Sequence, residues 1–250
     1  MRSLIITVAG MSSRFNRDTK EDVLKCLYYE DCPLNSLINN QVHKAFPLVD
    51  EIVVVGGYKY EDLERFIREE MKNVNHKMKL VYNDHYHDYG SGYSLLKGIE
   101  VVSPKADEII FIEGDLFFDT ESIEKIITSK KDVISVNNDP ILSNKAVALY
   151  FDAQNYPHYI YDTSHSCLEI HEPFTAIYNS GQMWKFMNPI RVREICQFLS
   201  PEQKQGTNLE IIQKYFGAYK KSQLDIIRVN LWYNCNTVAD YREAIKALSK

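Results

Sequence analysis

No run of apolar residues in this 250-residue chain approaches the ~20 needed to cross a bilayer, so it is not read as a membrane span. An excess of basic residues is missing as well. Lys and Arg number 29 against 34 Asp and Glu, and the net charge of -5 excludes a protein that grips a phosphate backbone with clustered cations. Nor are there paired cysteines at metal or redox spacing. Cys26, Cys32, Cys167, Cys196 and Cys235 are odd in number and contain no C-x-x-C, and they are read as reduced thiols in a cytosol. Linkers rich in Gly or Ser, internal repeats and low-complexity segments are also absent. Tryptophan is scarce, with 2, whereas tyrosine is abundant, with 17. What remains, 45% hydrophobic and 25% charged residues, is an ordinary globular composition. A chain this long buries roughly 70–75% of its unfolded surface and needs no staple. The opening MRSLIITVAG reads as a buried strand, because its apolar run is short and no small-residue cleavage site follows. The expected location is the cytoplasm.

Short β-branched runs recur at 4–8, 52–55, 79–82, 108–112 and 132–136, with helical patterns between them. Strands that are apolar without alternation are covered on both faces, which predicts parallel pairing with helices on each side. In 60–71, Leu63, Phe66, Ile67 and Met71 share one face; in 94–102, Leu95, Leu96, Ile99 and Val102 do. Beyond about residue 140, Tyr-rich candidates at 146–152, 158–162 and 174–178 predict mixed or antiparallel strands. Helices are expected at 190–199, 207–219 and from Val238, with a strand at 226–229. The fold class is therefore α/β: one domain over 1–250, a mostly parallel Rossmann-like sheet with helices on both faces and a mixed second half.

Strand one ends in AGMSSRF (9–15), and LKCL (24–27) follows. At the carboxyl edge of a parallel sheet, where ligands bind, Ala9, Gly10, Met11, Ser12 and Ser13 offer successive backbone N–H groups suited to phosphate. Arg14 can clamp phosphate oxygens in pairs and Lys25 adds a point charge. Taken alone, the stretch reads equally well as a strand-to-loop turn with two surface cations.

These residues resemble the signature loop of GT-A-like nucleotidyltransferases, which runs A-G-x-G-x-R and then K-P-L. Ser12 replaces the second Gly and Cys26 the Pro. Four further segments match the family in order: IVVVGGYKYEDL (52–63), YNDHYHDYGSGYSLLKGI (82–99), IFIEGDLFFD (110–119) and LWYNCNTVADYREA (231–244). The resemblance spans nearly the whole chain and is greatest to cytidylyltransferases, in particular those that use CTP and phosphoglutamine in capsular phosphoramidate synthesis. It implies CTP and a small phosphorylated acceptor as partners, a nucleotide-binding half at 1–118 and an acceptor-binding half at 119–250. It also implies Asn83 and Ser94 near base and ribose, and Mg²⁺ on Asp115 and Asn236. Mg²⁺ takes oxygen ligands, one or two from protein and the rest from phosphate and water, which a strand-end Asp can supply. Phosphocholine relatives carry E-I-D where this chain has Asn234-Cys235-Asn236. Sugar 1-phosphates are a further acceptor class.

Glu172, Glu210 and Tyr150 are candidate acceptor contacts, the glutamates for an amine; Lys145, Arg191 and Arg193 are candidates for a carboxylate. Glu113 reads as structural, and His85-Tyr86-His87 as an exposed polar loop, not a metal pair. His165 and His171 read as solvated or acceptor-side polar groups. GSG (90–92) reads as a turn into a helix, because no G-K-[ST] follows. The charged stretch 20–32 is expected to be a mobile loop over the site. Nucleic-acid and membrane partners are excluded, and oligomeric state is not legible.

Overall fold

The computed structural model of this chain describes residues 1–19, 21–142, 147–161 and 167–248. Its strands are β1 (Arg2–Thr7), β2 (Glu51–Gly56), β3 (Met78–Tyr82), β4 (Glu108–Glu113), β5 (Leu116–Phe118), β6 (Val133–Asn137), β7 (Ala148–Asp152), β8 (Pro157–Ile160), β9 (Phe174–Phe186), β10 (Asp225–Arg228) and β11 (Trp232–Asn234). Its α-helices are α1 (Leu37–Ala45), α2 (Tyr60–Glu70), α3 (Ser91–Val101), α4 (Thr120–Thr128), α5 (Pro189–Gln197), α6 (Pro201–Gln205), α7 (Leu209–Phe216) and α8 (Val238–Leu248). Among the described residues, nine strands share one sheet whose path runs β10-β6-β9-β4-β1-β2-β3, with β7 on β9 and β8 on β7. β1 pairs in parallel with β2 and β4, and β2 with β3, as the apolar runs imply. β9 runs antiparallel to β4, β6 and β7, so the second half is mixed.

Alternate strand residues enter opposite layers. Leu4, Ile6, Ile52, Val54, Ile110 and Ile112 pack with α1, α2, α4 and α8; Ile5, Val53, Val55, Ile109 and Phe111 pack with α3, α5 and α7. A sheet apolar on both faces buries each of these side chains, a gain of roughly 1.5–3 kcal/mol apiece. Among the described residues no helix is long and apolar enough to cross a membrane.

Several elements escaped the sequence pattern. α1 begins where Ser36 caps Asn39 N and buries Leu37, Ile38 and Val42 despite two consecutive asparagines, which are poor helix formers. β5 and β11 form a separate antiparallel pair of three residues each, too short for a periodic signal. β9 continues to Phe186, well past the expected end at 178, through Gly181 and Gln182. The charged stretch expected to be mobile is anchored instead. Leu24 and Cys26 are buried, and the Tyr58 hydroxyl donates to Asp22.

Candidate active site

The exit of β1 is held by its neighbours: Val8 N donates to Val55 O (2.8 Å) and Tyr58 N to Ala9 O (3.1 Å). Ser12 stands at φ 57, a left-handed conformation that side-chain residues seldom adopt. Its carbonyl accepts from Asn16 N (2.9 Å) and its hydroxyl from Lys25 N (3.0 Å). One strained serine thus fastens the loop after β1 to the turn that carries Lys25. Buried Phe15 anchors Arg14 from one side; buried Leu24 and Cys26 anchor Lys25.

β4 ends beside this loop. Gly114 N donates to Thr7 O (3.1 Å), and a Cβ on Gly114 would lie 2.3 Å from Val8 Cγ1, so only glycine allows the approach. The buried side chain of Gln41, from α1, donates to the carbonyls of Glu113 (3.1 Å) and Leu116 (2.7 Å), bracketing Asp115. Asp115 Oδ2 then accepts from Lys25 Nζ (3.1 Å), while Oδ1 is buried without a hydrogen-bond partner. From the far end of the chain, Asn236 Oδ1 accepts from Arg14 Nη2 (2.9 Å) and Lys25 Nζ (3.4 Å). Four residues, from three widely separated segments, thus meet in one polar cluster.

The cluster floors a cleft of about 440 Å³ lined by Ala9, Gly10, Met11, Ser12, Ser13, Arg14, Lys25, Asn83, Ser94, Asp115 and Asn236. Asn83 Nδ2 donates to Ser94 Oγ (2.9 Å), which fixes the end of β3 against α3. Sequence reasoning passed over Tyr86, Tyr89, Ser91, Glu113 and Asn208, which also line it. Both tyrosines lie in the Tyr- and His-rich stretch 82–93, whose aromatic content is the one signal in the sequence for them. His85, in the same stretch, pairs with Asp88 and stacks on Tyr89 at 4.1 Å.

A smaller cleft of about 140 Å³ adjoins the first and shares Arg14, Ser91, Glu113, Asp115, Asn208 and Asn236 with it. Val147, Tyr161, Gln182, Thr207, Leu209 and Asn234 complete its wall. Glu113, read as structural, sits where the two clefts meet. Its carboxylate accepts from Asn208 Nδ2 (2.8 Å), and burial together with the neighbouring Asp115 pushes its pKa up to about 8. Burial also pushes the Cys26 thiol up to about 12 and raises that of Cys235, so neither is a thiolate nucleophile at neutral pH.

The candidate acceptor residues lie elsewhere. Tyr150 donates to Glu172 (2.7 Å), and neither lines either cleft; nor does Glu210, although Asn208 and Leu209 just before it do. Arg191 stacks on Tyr215 and Tyr219, and Arg193 donates to Ser103 O (2.9 Å). Lys145 and His165 lie outside the described residues. Exposed His171 pairs with Glu169 (3.3 Å).

Among the described residues no group of three or more His, Cys, Asp or Glu could hold a metal ion by itself. The donors here are a carboxylate oxygen of Asp115, buried and without a hydrogen-bond partner, and the amide oxygen of Asn236, in two residues that line both clefts. That set fits Mg²⁺, which draws its other ligands from phosphates and water.

A family model described as a domain of unknown function, DUF6564, matches residues 21–248. The chain belongs to this family. Curated proteins offer no match to this DUF6564 chain. Solved structures do. The inositol-1-phosphate CTP transferase from T. maritima is 18% identical with a TM-score of 0.70, over 98% of this chain and 96% of that one. A UDP-glucose pyrophosphorylase in complex with UDP-glucose is 12% identical, with a TM-score of 0.70 over 100% and 98%. CTP:phosphocholine cytidylyltransferase from Streptococcus pneumoniae is 15% identical, with a TM-score of 0.62 over 99% of both chains. The DUF6564 chain therefore has the α/β fold shared by CTP transferases and sugar-phosphate nucleotidyltransferases.

Proposed function

We propose that this protein is a CTP-dependent nucleotidyltransferase that moves CMP onto the phosphate of a small acceptor, L-glutamine phosphate, and releases pyrophosphate. The observation that carries this reading is the convergence of Arg14, Lys25, Asp115 and Asn236 between a larger and a smaller cleft. Ala9–Ser13, Asn83, Ser94 and the faces of Tyr86 and Tyr89 would hold the nucleotide in the larger one. The acceptor would enter the smaller one.

An acceptor phosphate is ionised at neutral pH, so its oxygen attacks the α-phosphorus of CTP without a general base. As that bond forms, the bond to the β-phosphate oxygen breaks, and pyrophosphate leaves with the electron pair. What the protein must do is hold two anions in line and neutralise them. Arg14 and Lys25 supply fixed positive charge at the α-phosphate and the leaving group. Mg²⁺, held by Asp115 and Asn236, would add Lewis-acid neutralisation of phosphate oxygens. Gln41 keeps Asp115 on station.

The smaller cleft favours a polar acceptor. Among the described residues its one aromatic wall is Tyr161, which does not make the aromatic cage a quaternary ammonium needs. Side-chain amides of Gln182, Asn208 and Asn234 line it instead. The Glu113 carboxylate, desolvated beside Asp115, would be relieved by an ammonium.

A panel of the four nucleoside triphosphates against L-glutamine phosphate, phosphocholine and a sugar 1-phosphate, read as pyrophosphate release, tests the assignment. CTP with L-glutamine phosphate should be the productive pair. Arg14→Ala and Asp115→Asn should each lower its rate by about 10³-fold or more while the far-UV spectrum is unchanged. Near-normal release by either folded variant contradicts the assignment; release with a sugar 1-phosphate alone moves it to that class.

A further inference from the structure

β9 contains two residues more than its partner between matched positions: Ile134 pairs with Trp184, but Val136 pairs with Ser180. The additional pair is Gly181-Gln182. The Ser135 hydroxyl fills the break, donating to Met183 O (2.7 Å) and accepting from Met183 N (3.0 Å). Gln182 stands at φ 55, the left-handed region that costs a side-chain residue free energy. Trp232 Nε1, from β11, holds the Gly181 carbonyl at 2.8 Å, so the surroundings enforce the bend. Bulges of this kind re-aim side chains beside active sites. Here the result is a glutamine that is only 6% exposed yet lines the smaller cleft.

Chemistry settles which end of its amide is free. Guanidinium and ammonium groups only donate, so the Asn236 atom facing Arg14 and Lys25 must be its oxygen. The Asn236 nitrogen therefore donates to Asn234 Oδ1 (2.7 Å), and the Asn234 nitrogen to Gln182 Oε1 (3.0 Å). The two cations thus impose a direction that passes through two amides to the third. At its far end Gln182 presents Nε2, a donor with no hydrogen-bond partner among the described residues.

We propose that Gln182 Nε2 is the donor that recognises the non-phosphate end of the acceptor, which must carry a carboxylate or carbonyl oxygen there. This rests on the reading that the smaller cleft holds the acceptor of a nucleotidyl transfer. Two amide side chains stand between Gln182 and the atoms at Arg14, so it sets specificity and does not touch the reacting phosphates. A quaternary ammonium has no oxygen to offer this donor.

Gln182→Glu is nearly isosteric, and its carboxylate can still accept from Asn234, but it replaces the donor with a second acceptor. Gln182→Gly removes the amide at a position whose φ suits glycine, so it folds. Calorimetry with Mg²⁺ and a non-hydrolysable CTP analogue measures binding of L-glutamine phosphate and of phosphocholine to the wild type and both variants. The proposal expects L-glutamine phosphate to bind about 30-fold or more weakly to each variant, because a charge-assisted hydrogen bond is lost and, in the glutamate, like charges meet. Analogue binding should stay within about twofold, and phosphocholine should not distinguish the three proteins. Undiminished binding of L-glutamine phosphate by either variant overturns the proposal. So does a parallel loss of analogue binding, or a wild type that binds neither phosphate. Pyrophosphate release from CTP by the wild type is scored separately: binding that follows the expected pattern without turnover would leave the donor assignment standing and remove the transferase reading.

Discussion

Ser12 concentrates the chemistry of the loop after β1 in one residue. The resemblance places glycine here, and φ 57 shows why: the chain must turn left-handed. Serine bears that conformation because its hydroxyl accepts the Lys25 amide (3.0 Å). Ser12→Ala keeps the strain and loses the bond, so denaturant unfolding should show a loss of about 1–2 kcal/mol and the KM for CTP should rise. Ser12→Gly trades the lost bond for released strain and should stay within about 0.5 kcal/mol of wild type, since the left-handed cost is itself about 1 kcal/mol. Equal losses in both variants would show that the backbone carries no strain there. Arg14, Lys25 and Asp115 were singled out in the sequence by the resemblance of 9–15, 24–27 and 110–119 to nucleotidyltransferase motifs, since a strand exit with two cations reads by itself equally well as an ordinary turn. Glu113 and Gln182 were not. What gives Glu113 its significance is an approach by Asn208, and what gives Gln182 its direction is a hydrogen-bonded chain that begins at Arg14. No local spacing encodes either.

At the scale of elements, α1 does more than cover the sheet. Its Gln41 is fully buried and ties the carbonyls on either side of Gly114-Asp115 to the helix. Gln41→Leu leaves both carbonyls without that donor and should cost about 1–3 kcal/mol. Because those carbonyls bracket Asp115, the half-saturating Mg²⁺ concentration for turnover should rise as well. Gln41→Glu retains the chain length but not the donor, so it should not restore Mg²⁺ affinity. A stability loss with unchanged Mg²⁺ dependence would make α1 a packing element only. The helix was missed because INNQVH carries polar residues at positions where a clear apolar stripe would need hydrophobic ones. By contrast, α2 and α3 declared themselves through Leu63 and Ile67, and through Leu95, Leu96 and Ile99, all buried as the spacing implied.

Across the whole molecule, the sheet was legible wherever strands were apolar on both faces, and β1, β2, β4 and β6 fall where the runs lie. Strand order was not, because the antiparallel β9 between β4 and β6 is fixed by long-range pairing. One carboxylate shows how the pieces are tied. Glu51, at the start of β2, accepts from Ser3 Oγ of β1 (2.7 Å) and Ser103 N beyond α3 (3.0 Å), and pairs with Lys79 of β3. Burial alone would push its pKa up, but Lys79, Ser3 and Ser103 more than offset that and hold it below the ordinary value of 4.5. A group with a lowered folded pKa contributes stability above the unfolded value and loses it as pH falls through the folded one. Urea unfolding below about pH 4.5 should therefore show a steeper acid loss in the wild type than in Glu51→Gln; superimposable acid limbs would contradict the assignment.

The central claim concerns the bond between the α- and β-phosphates of CTP. Incubation of the protein with Mg²⁺, L-glutamine phosphate and CTP radiolabelled at the α-phosphate, followed by separation of products, tests it most directly. The account predicts label in a single adduct of CMP with the acceptor, stoichiometric with unlabelled pyrophosphate, and no adduct with Asp115→Asn. Label that stays in CTP, or that appears only as free CMP, would contradict it.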